Sequence, residues 1–179
     1  MTVSIRAAGA ADAVALADLA AATFALACPP HTTADAIAAF LRDVLAERNF
    51  DGYLADSDRI LLVAEDDEDE TAMVGYTMLV FGEPTDADAT AVVAARPTVE
   101  LSKFYVRAES HGRGTAATLM AATLDAARAG GAAGTWLGVN QLNARAVRFY
   151  EKNGFAVVGE KRFLVGGVYE NDFVLERAL

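Results

Sequence analysis

The sequence predicts an α/β fold: a mixed sheet of six to seven strands with helices covering both faces. Three observations lead there. Apolar runs of strand length alternate with stretches of helical spacing, and glycines punctuate the joins. The resulting order, β-α-α-β-β-β-α-β-α-β-β, groups some strands and separates others by helices. With 54% hydrophobic and 22% charged residues, the 179-residue chain has the material for a core, and residues 1–179 read as one domain.

In chain order, TVSIRA (2–7) reads as a first strand and residues 11–27 as a helix, whose stripe holds Leu16, Leu19, Thr23 and Leu26. Pro29 and Pro30 end it. Thr32 is the expected N-cap of a second helix, with Asp35 three residues on resembling a capping box. Ile37, Phe40, Leu41, Val44 and Leu45 then follow at helical spacing. ILLVAE (60–65) and MVGYTMLVF (73–81) read as strands joined by the acidic run 66–70, expected to be a solvated loop and not a cation site. Residues 82–98 read as a loop before strand VELSKFYV (99–106). A helix over 114–129 is closed by Gly130 and Gly131. Strand TWLGV (135–139) precedes a helix over 143–152 that Asn153 and Gly154 terminate, and strands near 155–164 and 168–176 meet at the Gly166–Gly167 hairpin.

Charge and cysteine usage narrow the chemistry. Fifteen basic against 25 acidic residues give a net charge of −10, which argues against nucleic acid and suits a cationic substrate such as an amine. Cys28 is the only cysteine and His31 and His111 the only histidines, so neither a disulfide nor a recognisable zinc site is expected. The run 13–28 superficially suggests a signal peptide, but Asp18 interrupts it and an amphipathic helix is the better reading. No apolar stretch approaches the roughly 18 residues of a membrane span. A cytoplasmic enzyme with no membrane partner is the expectation.

The strongest local signal is strand 99–106 followed by ESHGRGTAATLM (109–120). A strand leading through a glycine turn into a helix leaves backbone N–H groups unpaired at the positive end of the helix dipole, which is an anion site. Gly112 and Gly114 permit close backbone approach to a phosphate, and Arg113 could add a charge-assisted contact. Gly112, Gly114 and Ala117 also fit the dinucleotide pattern GxGxxA, but WLGVNQLN holds no acid where that pattern needs one. A ligand-free helix start is the plain alternative. In LGVNQLNARAVRFYEKNGF (137–155), Asn143 and Tyr150 stand two helical turns apart and share a face. Asn143 also suits a helix N-cap, and Tyr150 a core position.

Together these segments resemble the GNAT N-acetyltransferase family. Its cofactor motif Q/R-x-x-G-x-G/A is met at Gly114 and Ala116, with His111 standing at the first position, and its later motif N-x-x-A-x-x-x-Y-x-x-x-G-F by Asn143, Ala146, Tyr150, Gly154 and Phe155. The element order also matches, so the resemblance covers nearly the whole chain, and the wording of 99–119 and 137–155 is similar to bacterial polyamine-type or small-molecule N-acetyltransferases. The resemblance implies a largely antiparallel sheet and direct acetyl transfer from acetyl-CoA to a small-molecule amine in a ternary complex. It implies a pantetheine arm along 99–106 and a pyrophosphate on the amides of His111, Gly112, Arg113, Gly114, Thr115 and Ala116, with Asn143 beside them. Amides near Phe104, Tyr105 and Val106 would polarise the thioester carbonyl. Tyr150 is the candidate general acid for the departing thiolate. Glu100, placed by simple alternation on the strand face of Phe104 and Val106, is the candidate base, directly or through water, with a structural ion pair as the alternative. His31 is a lesser candidate on the acceptor side, and Cys28 lacks the partners of a nucleophile. Other readings are a protein or peptide N-acetyltransferase, a non-catalytic CoA-binding regulatory module and, more remotely, a nucleotide-binding oxidoreductase. Any self-association would be a homodimer.

Overall fold

A computed structural model of the chain describes residues 2–67 and 69–179, and of residues 69–72 the backbone alone. Strand β1 spans Val3–Ala7 and is followed by helices α1 (Ala13–Thr23), α2 (Ala34–Val44) and α3 (Glu47–Ala55). Strands β2 (Arg59–Asp66) and β3 (Asp69–Phe81) form a hairpin, α4 (Ala87–Val92) follows, and β4 (Thr98–Val106) leads into α5 (Thr115–Ala129). Strand β5 (Gly134–Asn140), helix α6 (Ala144–Lys152) and the hairpin β6 (Ala156–Val165) and β7 (Val168–Ala178) complete the chain. The strands form one seven-stranded sheet in the order β1-β2-β3-β4-β5-β7-β6, antiparallel at every neighbour pair but β4 and β5. The α/β order and mixed, largely antiparallel sheet are those expected.

Local chemistry accounts for most boundaries. Helix α5 ends in a Schellman motif: Gly131 takes φ +84, its N–H donates to Arg128 O, and the Ala132 N–H donates to Ala127 O. Helix α6 starts at Asn143, whose side-chain oxygen accepts from the Ala146 N–H at 3.1 Å. The cap of α2 is Thr33, which accepts from the Ala36 N–H, and not Thr32. Two helices lie where none was expected. In α3, fully buried Phe50 packs into the core with Tyr53 and Leu54 beside it, and in α4, Asp86 caps a segment read as loop. The acidic run 66–70 lies partly outside the described residues, and what is described of it belongs largely to the β2 and β3 strand ends. No helix among the described residues is long and apolar enough to cross a membrane.

Two apolar clusters occupy opposite faces of the sheet. On one face Leu16 and Leu19 of α1 and Phe50 of α3 pack on Tyr76 and Met78 of β3. On the other, Met120 and Leu124 of α5 and Val147 and Phe149 of α6 cover Val99, Leu101, Leu137 and Leu175. Leu26, expected in the first stripe, is 53% exposed, because α1 gives way to a 3-10 turn at Phe24 and the periodicity stops. The Tyr76 hydroxyl is buried with no hydrogen-bond partner among the described residues, while its ring packs on Phe50 and Tyr105. Tyr76→Phe keeps the ring contacts and removes a desolvated hydroxyl, so it is expected to raise stability by about 1 kcal/mol. An unchanged or lower urea midpoint at constant slope would refute this.

Candidate active site

Strands β4 and β5 pair over three residues only, Thr98 with Gly134, Val99 with Thr135 and Glu100 with Trp136. Beyond that point β4 stays with β3 as far as Val106, and β5 stays with β7 as far as Asn140. The sheet therefore splits. A bulge contributes to the parting: Leu79 pairs with Leu101 but Met78 with Lys103, so Ser102 is an extra residue on β4. Past the bulge the Arg107 N–H donates to Val74 O on β3 at 2.8 Å. By strand alternation the N–H groups of Phe104 and Val106 turn the other way, towards the gap. A cavity of about 660 Å³ passes through the split and opens on both faces of the sheet.

On the α5 side, the cavity reaches the glycine turn. Gly112 and Gly114 have φ of +75 and +89, and a Cβ on either would meet nothing within 4 Å. The turn is open, as close approach of a ligand to the backbone requires. Gly114 is the N-cap of α5, no side chain caps it, and the first intrahelical bond described runs from the Thr118 N–H to Gly114 O. The amides of Thr115, Ala116 and Ala117 thus have no partner within the helix. The His111 N–H is different: it donates to Ala108 O at 3.1 Å, which removes it from the expected row of free amides. The His111 ring lies with Nε2 3.0 Å from Val106 O, and its Nδ1 and Nε2 are each 3.1 Å from a guanidinium nitrogen of Arg145. A ring donating from Nε2 to Val106 O and accepting at Nδ1 from Arg145 satisfies two of these three contacts. Arg145, in the first turn of α6, was not singled out from the sequence, and it places a cation beside the cradle.

Tyr150 reaches the cavity from α6, held edge-on by Phe104, Phe149 and Phe155 at centroid distances of 6.4, 5.6 and 5.8 Å. Burial raises its phenol above its ordinary value, so it stays protonated at neutral pH. No hydrogen-bond partner for the hydroxyl is found among the described residues. Tyr105, the next residue after Phe104, points to the opposite face and stacks on Tyr76. Its phenol is raised by burial first and then by Tyr150, and both tyrosines line the cavity.

The bulge also corrects the placement of Glu100. Val99 and Leu101 share a cluster with Phe104 on the α5 face, so parity changes at Ser102. Glu100 lies on the face of Tyr105, opposite Phe104 and Val106. There it lines the far side of the cavity with Lys103, Lys161 and Asp172. Burial raises the Glu100 carboxyl above its ordinary value, against the pull of Lys161, Lys103 and Arg59. Burial lowers the Lys103 ammonium to about 8, with Glu100 opposing. Phe24, Phe40 and Phe163 wall this chamber, Phe24 stacked on Phe40 at 4.5 Å.

The cavity thus gathers Glu100, Phe104, Tyr105, Val106, His111, Gly112, Ala116, Asn143 and Tyr150 from the expected set. Arg113 and Gly114 are exposed at its rim, and Thr115 is buried behind it at 1% exposure. Cys28 also faces the chamber, its thiol donating to Phe24 O at 3.4 Å and pushed up by burial and by Glu170. That environment protonates the thiol and disarms it as a nucleophile. The His31 ring, largely exposed, bonds Glu170 at 2.8 Å at the mouth. Lys103, Lys161 and Asp172 were missed. Lys161 and Asp172 sit in the polar runs Glu160-Lys161-Arg162 and Glu170-Asn171-Asp172, and Lys103 follows Ser102, where an inward charge reads as a solvated one.

The sequence model described as the acetyltransferase (GNAT) family matches residues 21–155. An uncharacterized N-acetyltransferase of Mycobacterium tuberculosis (strain H37Rv) is 44% identical over 168 residues, 94% of this chain and 98% of that protein. Among solved structures, a PaiA N-acetyltransferase from Thermoplasma acidophilum in complex with coenzyme A superposes with a TM-score of 0.78 at 20% identity, covering 100% of both chains. A chimera of the Vibrio cholerae spermidine N-acetyltransferase reaches 0.68 at 19% identity, covering 99% of this chain and 96% of that one.

Proposed function

We infer that this chain, which belongs to the acetyltransferase (GNAT) family, transfers the acetyl group of acetyl-CoA to a primary amine of a small molecule, with polyamines the first acceptors to try. The observation that carries the reading is the cavity threading the split sheet. It joins an open row of helix-start amides on one face to a chamber lined with carboxylates on the other. Acetyl-CoA supplies a thioester whose carbonyl carbon the amine attacks. The amides of Gly112 through Ala116 suit its diphosphate, with Arg145 alongside and Asn143 holding α6 in place. The amides of Phe104 and Val106, turned into the gap, suit the oxygen on which negative charge develops. Tyr150 donates the proton that the departing sulfur needs.

A non-catalytic binding module would not require an unpartnered phenol at the meeting point of the two chambers. The likeness to spermidine and PaiA enzymes supports the fold, and the acceptor rests on the carboxylates of the far chamber. Lys103 and Lys161 partly offset those carboxylates, so a polyamine is in competition with amines of lower charge. The deciding experiment is an assay of CoA release from acetyl-CoA against polyamines, aminoglycosides, amino acids and peptides. Release that depends on one class of small amine is expected. Turnover on peptides alone would move the reading to a peptide N-acetyltransferase, and no release with any amine would remove the enzymatic assignment.

A further inference from the structure

We propose that Asp172 is the catalytic base that takes a proton from the ammonium group of the acceptor amine. The inference rests on the acetyl-transfer reading above and names the residue that makes the acceptor nucleophilic. Asp172 stands on β7, paired with Asn140 of β5 and Lys161 of β6, at the level where β5 has left β4. It is only 6% exposed and lines the cavity, and its Oδ1 is buried with no hydrogen-bond partner among the described residues. A buried carboxylate oxygen left unpaired carries a large desolvation cost unless a ligand completes it. An incoming ammonium group is the partner its chemistry requires.

The neighbouring charged groups are engaged elsewhere. Gly138 lies beneath the carboxylate, and a Cβ there would meet Lys161 Cδ and Cε at 3.4 Å and Asp172 Oδ2 at 3.5 Å, so the glycine makes room for both side chains on this face. Lys161, the nearest cation, directs its Nζ to Asp86 at 3.2 Å, and no ion pair between Lys161 and Asp172 occurs among the described residues. Glu170, two residues earlier on β7, is occupied by His31. From β4, Tyr105 presents its phenol across the cavity, and Glu100 sits among Lys161, Lys103 and Arg59. Cys28, from the connection after α1, lies near Glu170 and Tyr105 as a protonated thiol. Glu100 is thus surrounded by cations and lies where β4 and β5 are still paired, whereas Asp172 faces the open part of the split. Burial raises the Asp172 carboxyl to about 6, with Lys161 pulling down and Glu170 pushing up. A base at that value is ionised at neutral pH and close enough to it to accept a proton.

The ammonium nitrogen gives one proton to Asp172, and its freed lone pair forms the C–N bond at the thioester carbonyl. The C–S bond then breaks, and the sulfur receives a proton from Tyr150. Tyr150 is restored by the second proton lost from nitrogen, and Asp172 releases its own to solvent. The products are the N-acetylated amine, free CoA thiol and one proton.

The test is the pH profile of kcat/KM for the full chain with the best amine from the assay above, for wild type, Asp172→Asn, Asp172→Glu and Glu100→Gln. Because the base must be ionised, wild-type activity should fall as pH drops through about 6. Asp172→Asn should lose about 100-fold in kcat/KM and lose that acid limb, while the Kd for CoA stays within about twofold. Asp172→Glu should recover part of the rate, and Glu100→Gln should keep the limb. The proposal is overturned if Asp172→Asn retains the wild-type limb, or if the limb disappears with Glu100→Gln. Should Asp172→Asn fail to bind CoA through misfolding, the wild-type profile and Asp172→Glu decide: a flat profile from pH 5 to 7, or Asp172→Glu inactive while binding CoA, rejects the base. Wild-type protein that binds CoA but acetylates no amine overturns the acetyl-transfer reading and this inference together. Turnover that ignores Asp172 overturns this inference alone.

Discussion

Replacing Gly114 by aspartate will weaken CoA binding by about 100-fold, while asparagine at the same position will cost less than about tenfold. The two side chains have nearly the same volume, and both tolerate the left-handed backbone that Gly114 adopts at φ +89. Either Cβ enters open space, so neither variant needs the fold to shift. They differ in charge alone. A carboxylate about 6 Å from a diphosphate, at an effective dielectric constant of about 20, is repelled by about 2.8 kcal/mol, or a factor of about 100. Titration calorimetry at low and high ionic strength checks this, because salt should narrow the gap between the variants. Equal affinities for aspartate and asparagine would mean that the diphosphate lies elsewhere.

Tyr150→Phe will lower kcat by about 100-fold and leave the Kd for CoA unchanged. The ring is held by Phe104, Phe149 and Phe155, and phenylalanine preserves all three contacts. Only the hydroxyl is removed, and it supports no hydrogen bond among the described residues. A loss confined to kcat is the signature of an interaction made in the transition state. A rise in KM for acetyl-CoA with unaltered kcat would instead assign Tyr150 to binding, and unchanged turnover would remove it from the mechanism. Replacement at Tyr150 and at Asp172 should affect opposite ends of one proton path, so the double variant should lose less than the product of the single effects.

Much of the cradle was legible because its determinants are local. A glycine at positive φ, an uncapped helix start and an Asn N-cap each act within a few residues, and their signals stand side by side in the chain. The helices α3 and α4 were not read from the sequence because each is short: α4 has little beyond alanine, and in α3 Phe50, Tyr53 and Leu54 make only one helical repeat. In α3 the deciding contact is Phe50 against Tyr76, a pair far apart in sequence. The same limit moved the α2 cap from Thr32 to Thr33, since neighbouring threonines offer equivalent hydroxyls and the approach of the chain selects between them.

The acceptor chamber depended on tertiary structure. Pleat alternation assigns Glu100 to the face of Phe104, and one additional residue at Ser102, visible only in the pairing of β4 with β3, reverses it. Asp172 looks like any member of the polar run Glu170-Asn171-Asp172 until β5, β6 and β7 come together around it and bury it at the cavity wall. Backbone amides that bind a phosphate are prepared by the residues that carry them, whereas the state of a buried carboxylate is prepared by strands that meet only when the chain has folded.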